Sequence, residues 1–204
     1  MLPGMFAPLG LIAGSVGPGP TAWINDGQGL VTFSNANLTF AAGSFTAGAL
    51  ANNSKSAGKW YFEIHMDTYG SGTTVSLGIA GPTYGDPSAI LGDTDALSAG
   101  WSFGNAASHL YANSAGTNIS TGVAGGAAGT IGIAVDIPNK LIYFANNNTW
   151  ANSAVPSSGT GGVNFVFSGA VVPALYISNN STVTLRALSG SQTYSPPAGF
   201  TAWG

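Results

Sequence analysis

GKWYFEIHMD, residues 58–67, is the stretch that decides how the rest of the chain reads. Trp60, Phe62, Ile64 and Met66 fall on one side of a two-residue repeat; Tyr61, Glu63, His65 and Asp67 fall on the other. Alternation of period two is the mark of a strand with one face in a core. Aromatic and β-branched side chains suit such a pleated, half-buried surface. The spacing predicts a strand whose Trp60 side is buried and whose Glu63 side is polar.

Outward from this stretch, short runs of the same kind recur. Strands are expected at Gly29–Phe33, Asn37–Phe40 and Phe45–Leu50 before it, and at 75–80 after it. Trp101–Phe103 and His109–Tyr111 read as a hairpin, and Ala115–Gly129 as a Gly/Ala/Thr loop. Further strands are expected from Ile131, over Leu141–Ala145, and over Val163–Phe167, Val171–Ile177 and Thr182–Leu188. Asn146-Asn147-Asn148 predicts a tight reversal, because Asn tolerates positive φ. Gly78 inside a strand predicts close approach of another backbone or a ring. Phe200 and Trp203 are expected to pin the C-terminus. Many short strands with turn signals and no convincing helix predict an all-β fold, an antiparallel β-sandwich over residues 21–204.

Composition bounds the function. Charged residues are 5% of the 204, and Lys plus Arg number 4. A nucleic-acid binder needs several phosphate contacts, and a polybasic membrane patch needs a cluster of cations, so both are disfavoured. The absence of cysteine excludes disulfides and thiol chemistry. No apolar run is long enough for a membrane helix. A surface this neutral has little colloidal repulsion, which suits a protein that lives assembled with others.

Residues 1–20, MLPGMFAPLGLIAGSVGPGP, differ from the rest. Their prolines and glycines break both helix and strand. A signal peptide is disfavoured by the missing basic start and the interrupted apolar segment. A solvated leader is the second reading. Leu2, Met5, Phe6, Leu9, Leu11 and Ile12 are too apolar for that. The expectation is an extended arm that buries these six side chains against a partner subunit.

Candidate chemistry is sparse. Gly100-Trp101-Ser102-Phe103-Gly104 matches G-x-S-x-G, but a nucleophile elbow needs a helix after it, and another strand pattern follows. His65 and His109 with scattered acids form no zinc pattern. Asp86, Asp93 and Asp95 read as a solvated acidic loop rather than a Ca²⁺ site. No phosphate or dinucleotide fingerprint is present, so no catalytic residue, metal or cofactor is expected. Tyr69, Tyr84, Trp101, Tyr111 and Trp150, with Asp86, are the candidate ligand-binding loop residues. Aromatic faces beside Asn and Asp suit sugar or peptide surfaces, although rings can also plug the ends of a sandwich.

Several segments together resemble a known family. GKWYFEI at 58–64, VSLGIA at 75–80 and LSAGWSFGNAASHLYANS at 97–114 come first. GTIGIAVDIPNKLIYFANNNTW at 129–150, VVPALYISNNSTVTLRAL at 171–188 and PPAGFTAW at 196–203 follow. In this order they are similar to a SPRY domain, over all but the leader. The resemblance implies a bent sandwich of two antiparallel sheets with binding loops at one end. Where the family often has Asn-Phe-Gly, this chain has Arg186-Ala187-Leu188, and Arg186 is expected to pair with a carboxylate such as Glu63. Low charge, no cysteine and Gly/Asn/Ser/Thr-rich loops are similar to SPRY domains of tailed-bacteriophage virion proteins. The expectation is therefore a non-enzymatic virion structural or accessory protein. Its arm would dock to other virion proteins, with the chain as a homo-oligomer or part of a larger assembly. The alternative is an adhesin or receptor-binding module, on a bacterial surface or secreted, that recognises a host-surface glycan or protein.

Overall fold

The computed structural model describes residues 20–24, 31–70, 73–81, 84, 89–93, 96–104, 108–112, 115–118 and 129–204. The six apolar arm residues, with Asp86 and Asp95, lie outside the described residues.

In chain order the strands are β1 (Val31–Ser34), β2 (Thr39–Ala42), β3 (Ala47–Leu50), β4 (Lys59–Thr68) and β5 (Thr74–Ala80). Next come β6 (Ser98–Gly104), β7 (Ser108–Ala112), β8 (Ala115–Asn118), β9 (Thr130–Asp136) and β10 (Leu141–Asn146). The last are β11 (Thr149–Trp150), β12 (Val163–Asn164), β13 (Val172–Ile177), β14 (Thr182–Arg186) and β15 (Thr201–Ala202). They form two sheets. One runs β1-β2-β14-β4-β9-β10-β11, with β12 on β10 and β15 on β4; the other runs β3-β13-β5-β6-β7-β8. Among the described residues all strand pairings are antiparallel except β15 on β4.

The inner faces supply the core, as the alternation requires. Phe62, Ile64 and Met66 of β4 pack with Ile133 of β9, Phe144 of β10, Leu77 of β5 and Trp101 of β6 in one buried cluster. Trp101 meets Phe144 across the sandwich at 6.1 Å. Gly78 admits the neighbouring strand: a Cβ there would sit 2.0 Å from the Ala99 carbonyl oxygen. Asn147 and Asn148 turn β10 into β11 with φ of 45° and 66°. Trp203 is fully buried, its ring 5.2 Å from Phe62 and its Nε1 donating to the Asn53 carbonyl at 2.9 Å.

Three expectations need correction. The Glu63 side of β4 is not a polar face: Tyr61 and Glu63 are both buried. The C-terminal segment lies over them, bringing Phe200 into a second cluster with Tyr61 and Tyr143. Farther along that face His65 is half-buried and Asp67 is exposed. Second, Ala115–Asn118 is not loop but a strand, formed by pairing with β7. Third, Arg186 sits opposite Glu63 in register yet bonds Thr193 through its guanidinium. Glu63 instead accepts from the backbone N–H groups of Thr193 at 2.6 Å and Tyr194 at 2.8 Å, and from the Tyr61 hydroxyl at 3.0 Å. Burial, then the adjacent Glu63 carboxylate, drives the Tyr61 hydroxyl far above the usual phenol range.

Candidate functional site

The aromatic residues singled out from the sequence do not converge. Trp101 lies in mid-strand and is 1% exposed, so it is core and cannot meet a ligand. Tyr84 is 6% exposed, packed on the outer face of the six-stranded sheet with Ala80, Leu91 and Ala174. Trp150 is half-buried at β11, beside Tyr61 at 6.5 Å. Tyr69 follows β4 at the opposite end from Tyr84, stacked on Phe103 at 6.3 Å with its hydroxyl donating to the Thr73 carbonyl. Tyr111 is a β7 position whose side chain lies outside the described residues. All five rings read from the sequence as loop residues, because an aromatic beside Gly and Asn signals a loop rim and a sandwich plug equally.

Ser102 lies on β6, which runs straight into the β6–β7 hairpin, with His109 opposite it. That is not the strand-to-helix turn that exposes a nucleophile. Among the described residues no three His, Asp or Glu side chains are grouped to hold a metal ion.

A different place emerges where β4 begins, β9 ends and β10 begins. The chain's three lysines, Lys55, Lys59 and Lys140, are all at this end. The reason is topological. Lys59 opens β4 opposite Asp136 at the end of β9, and Lys140 closes the turn that follows Asp136. Lys55 is brought in by its backbone bridge to Val171.

Each ammonium is held differently. Lys59 Nζ is 2.8 Å from the fully buried Asp136 carboxylate. Burial pushes that carboxyl up, but hydrogen bonds from Lys59 and from the Asn139 side chain and backbone outweigh it and hold Asp136 below its ordinary range. Lys55 Nζ lies 4.2 Å from the centre of the Trp60 ring, and burial lowers its pKa. Lys140 Nζ donates to the Val166 carbonyl at 3.2 Å and the Ser168 hydroxyl at 3.1 Å, tying the 137–140 turn to the 165–169 segment.

Between these two segments lies a cleft of about 220 Å³, lined by Ile137, Pro138, Lys140, Phe165, Phe167 and Ser168, with Ser56 and Ala57 on its other side. Phe165 and Phe167, with ring centres 4.9 Å apart and planes tilted by 37°, give it an apolar lining. Val166 between them is 52% exposed. Among the described residues none that line it is an acid or a histidine. A cleft of this size is below the 300–1,000 Å³ or so typical of small-molecule sites. It suits one or two side chains of an extended segment.

The SPRY domain family profile matches residues 59–188, well over half of the chain. The chain belongs to the SPRY domain family. Solved structures agree on the fold. The TRIM65 PSpry domain is similar with a TM-score of 0.64 at 13% identity, covering 81% of this chain and 90% of that one. The SPRY domain of human HERC1 gives 0.61 at 12%, covering 81% and 94%. The stonustoxin structure gives 0.56 at 19%, covering 81% of this chain and 26% of the toxin chain. No curated protein sequence matches. SPRY domains mediate protein–protein interaction, and this chain carries such a module. The SPRY match begins at Lys59 and so includes two of the three lysines at the cleft end.

Proposed function

We propose that this SPRY domain is a non-enzymatic binding module within a larger assembly, and that the lysine-flanked end is its binding face. The observation that carries this reading is the meeting of an apolar cleft with all three lysines at one end of a charge-poor sandwich. An apolar anchor pocket ringed by polar groups is the usual make-up of a protein recognition site. The assembly we have in mind is a tailed-bacteriophage particle. Support comes from the cysteine-free, charge-poor composition and from the apolar N-terminal arm, which suits docking to other virion proteins.

Copurification tests this. The full chain should travel with particles, and Pro138→Arg, which places a charge at the exposed rim of the cleft, should reduce its share. Purified particles that carry no copy of the chain, or that retain the variant at the wild-type level, argue against it. A second reading, an adhesin for a surface glycan, draws on the opposite end. There Phe45 is 52% exposed beside the Asn179–Asn180 turn. Binding on a glycan array that Phe45→Ser abolishes would select that reading instead.

A further inference from the structure

We infer that the occupant of the cleft is the N-terminal arm of a second copy of this chain. This rests on the cleft end being a binding face and names its partner.

Three observations lead there. The first is where the arm leaves the body. Thr21 is buried, its Oγ1 accepting from Asn53 Nδ2 at 3.0 Å; the Ala22 N–H donates to the Asn52 side-chain Oδ1 at 3.0 Å and the Ala22 carbonyl accepts from the Asn52 N–H at 2.9 Å. Asn53 is only three residues from Ser56 on the cleft wall, so the arm emerges within roughly 10 Å of chain from it. The arm is thus tethered at the same end as the cleft.

The second is the arm's composition. Residues 1–20 contain no charged side chain, while Leu2, Met5, Phe6, Leu9, Leu11 and Ile12 are spaced by Pro and Gly. An extended segment of this kind offers single apolar side chains one after another, which is what a cleft for one or two side chains accepts. The lysines do not demand an acidic guest. Lys59 is matched by Asp136, Lys140 is bonded to a carbonyl and a hydroxyl, and Lys55 rests on Trp60.

The third is spacing. Between Ile12 and Thr21 lies AGSVGPGP, eight residues with one apolar side chain of any size, Val16. Extended, that spacer spans about 26 Å. It is longer than the short path to the chain's own cleft and suits a bridge to the cleft of a neighbour.

The lack of cysteine allows a direct test by disulfide trapping between two full-length variants. Chains carrying Phe6→Cys are mixed with chains carrying Ser168→Cys, at the exposed cleft rim, and oxidised. Met5→Cys and Leu9→Cys cover a shift in register, and Ser157→Cys, exposed elsewhere, replaces Ser168→Cys as control. The expected result is a mixed dimer through position 168, well above that through position 157, and diminished when Pro138→Arg is added. Equal trapping at 157 and 168, or none, overturns the inference. So does a double variant that links only within one chain. If trapping fails but Pro138→Arg still reduces particle association, the binding face stands and the arm is not its guest; if both fail, the binding face falls with it.

Discussion

Replacing Glu63 should release the C-terminal segment. Its carboxylate is fully buried and accepts three hydrogen bonds, two of them from the backbone of Thr193 and Tyr194. Hydrogen bonds to a charged group contribute about 1.5–3 kcal/mol each, and they are not additive. Thr193 is exposed, so its freed N–H can recover water, and deleting the buried charge removes a desolvation cost. The balance for Glu63→Ala is a loss of about 3 kcal/mol. Glu63→Gln keeps one oxygen for Tyr61 and Tyr194 but turns an N–H towards the Thr193 donor, so about 1–2 kcal/mol is expected. The assay is urea unfolding combined with amide exchange. Exchange should quicken first at residues 188–204, because the two anchored N–H groups hold that segment over β4. Glu63→Ala within about 0.5 kcal/mol of wild type, the range of ordinary surface substitutions, would refute the reasoning. So would a loss with no change in exchange at 193–194.

Other outcomes follow from the same geometry. Gly78→Ala drives a Cβ into the Ala99 carbonyl and should cost about 3 kcal/mol or more, read by unfolding or as loss of soluble protein. Trp203→Ala empties a fully buried site and should cost about 3–5 kcal/mol in the same assay. Asp136 has its folded pKa lowered, so its contribution is present above the ordinary carboxyl value and fades as pH falls through the folded one; thermal melts should show the acid-side loss of stability reduced in Asp136→Asn. Tyr61 and Tyr143 have raised folded pKa values, so their contribution is complete below the ordinary phenol value and is lost as pH climbs past it. Melts above about pH 10 should therefore fall less steeply in Tyr61→Phe.

The sandwich was legible because its inner faces obey local periodicity. Phe62, Ile64 and Met66 of β4, like Ile131, Ile133 and Val135 of β9, point inward as their spacing demands. What covers an outer face is not local. Glu63 is buried by residues 130 positions later, and nothing near it announces this. The sequence AGTN of β8 has little strand propensity and becomes a strand only through its partner β7. At the candidate site, Trp101 and Tyr84 carried an aromatic signal but no signal of burial. The cleft was missed because its walls come from 137–140 and 165–169, joined by a lysine contact. A clue was present all the same: Lys55 and Lys59 stand just before and at the start of one strand, and Lys140 closes the turn after another. Antiparallel neighbours put such positions at the same end.

The parallel placement of β15 has a consequence for how the molecule is made. Strand β4 takes its neighbours from residues 130–136, 182–186 and 201–202, so each of its ladders closes a loop of many tens of residues. Topologies dominated by such distant contacts fold slowly, in milliseconds to seconds. During synthesis β4 emerges with its greasy edge unpartnered and waits for most of the chain to follow. Refolding rates should accordingly respond little to substitutions in the early hairpin of β1 and β2, and strongly to those that weaken the meeting of β4 with β9.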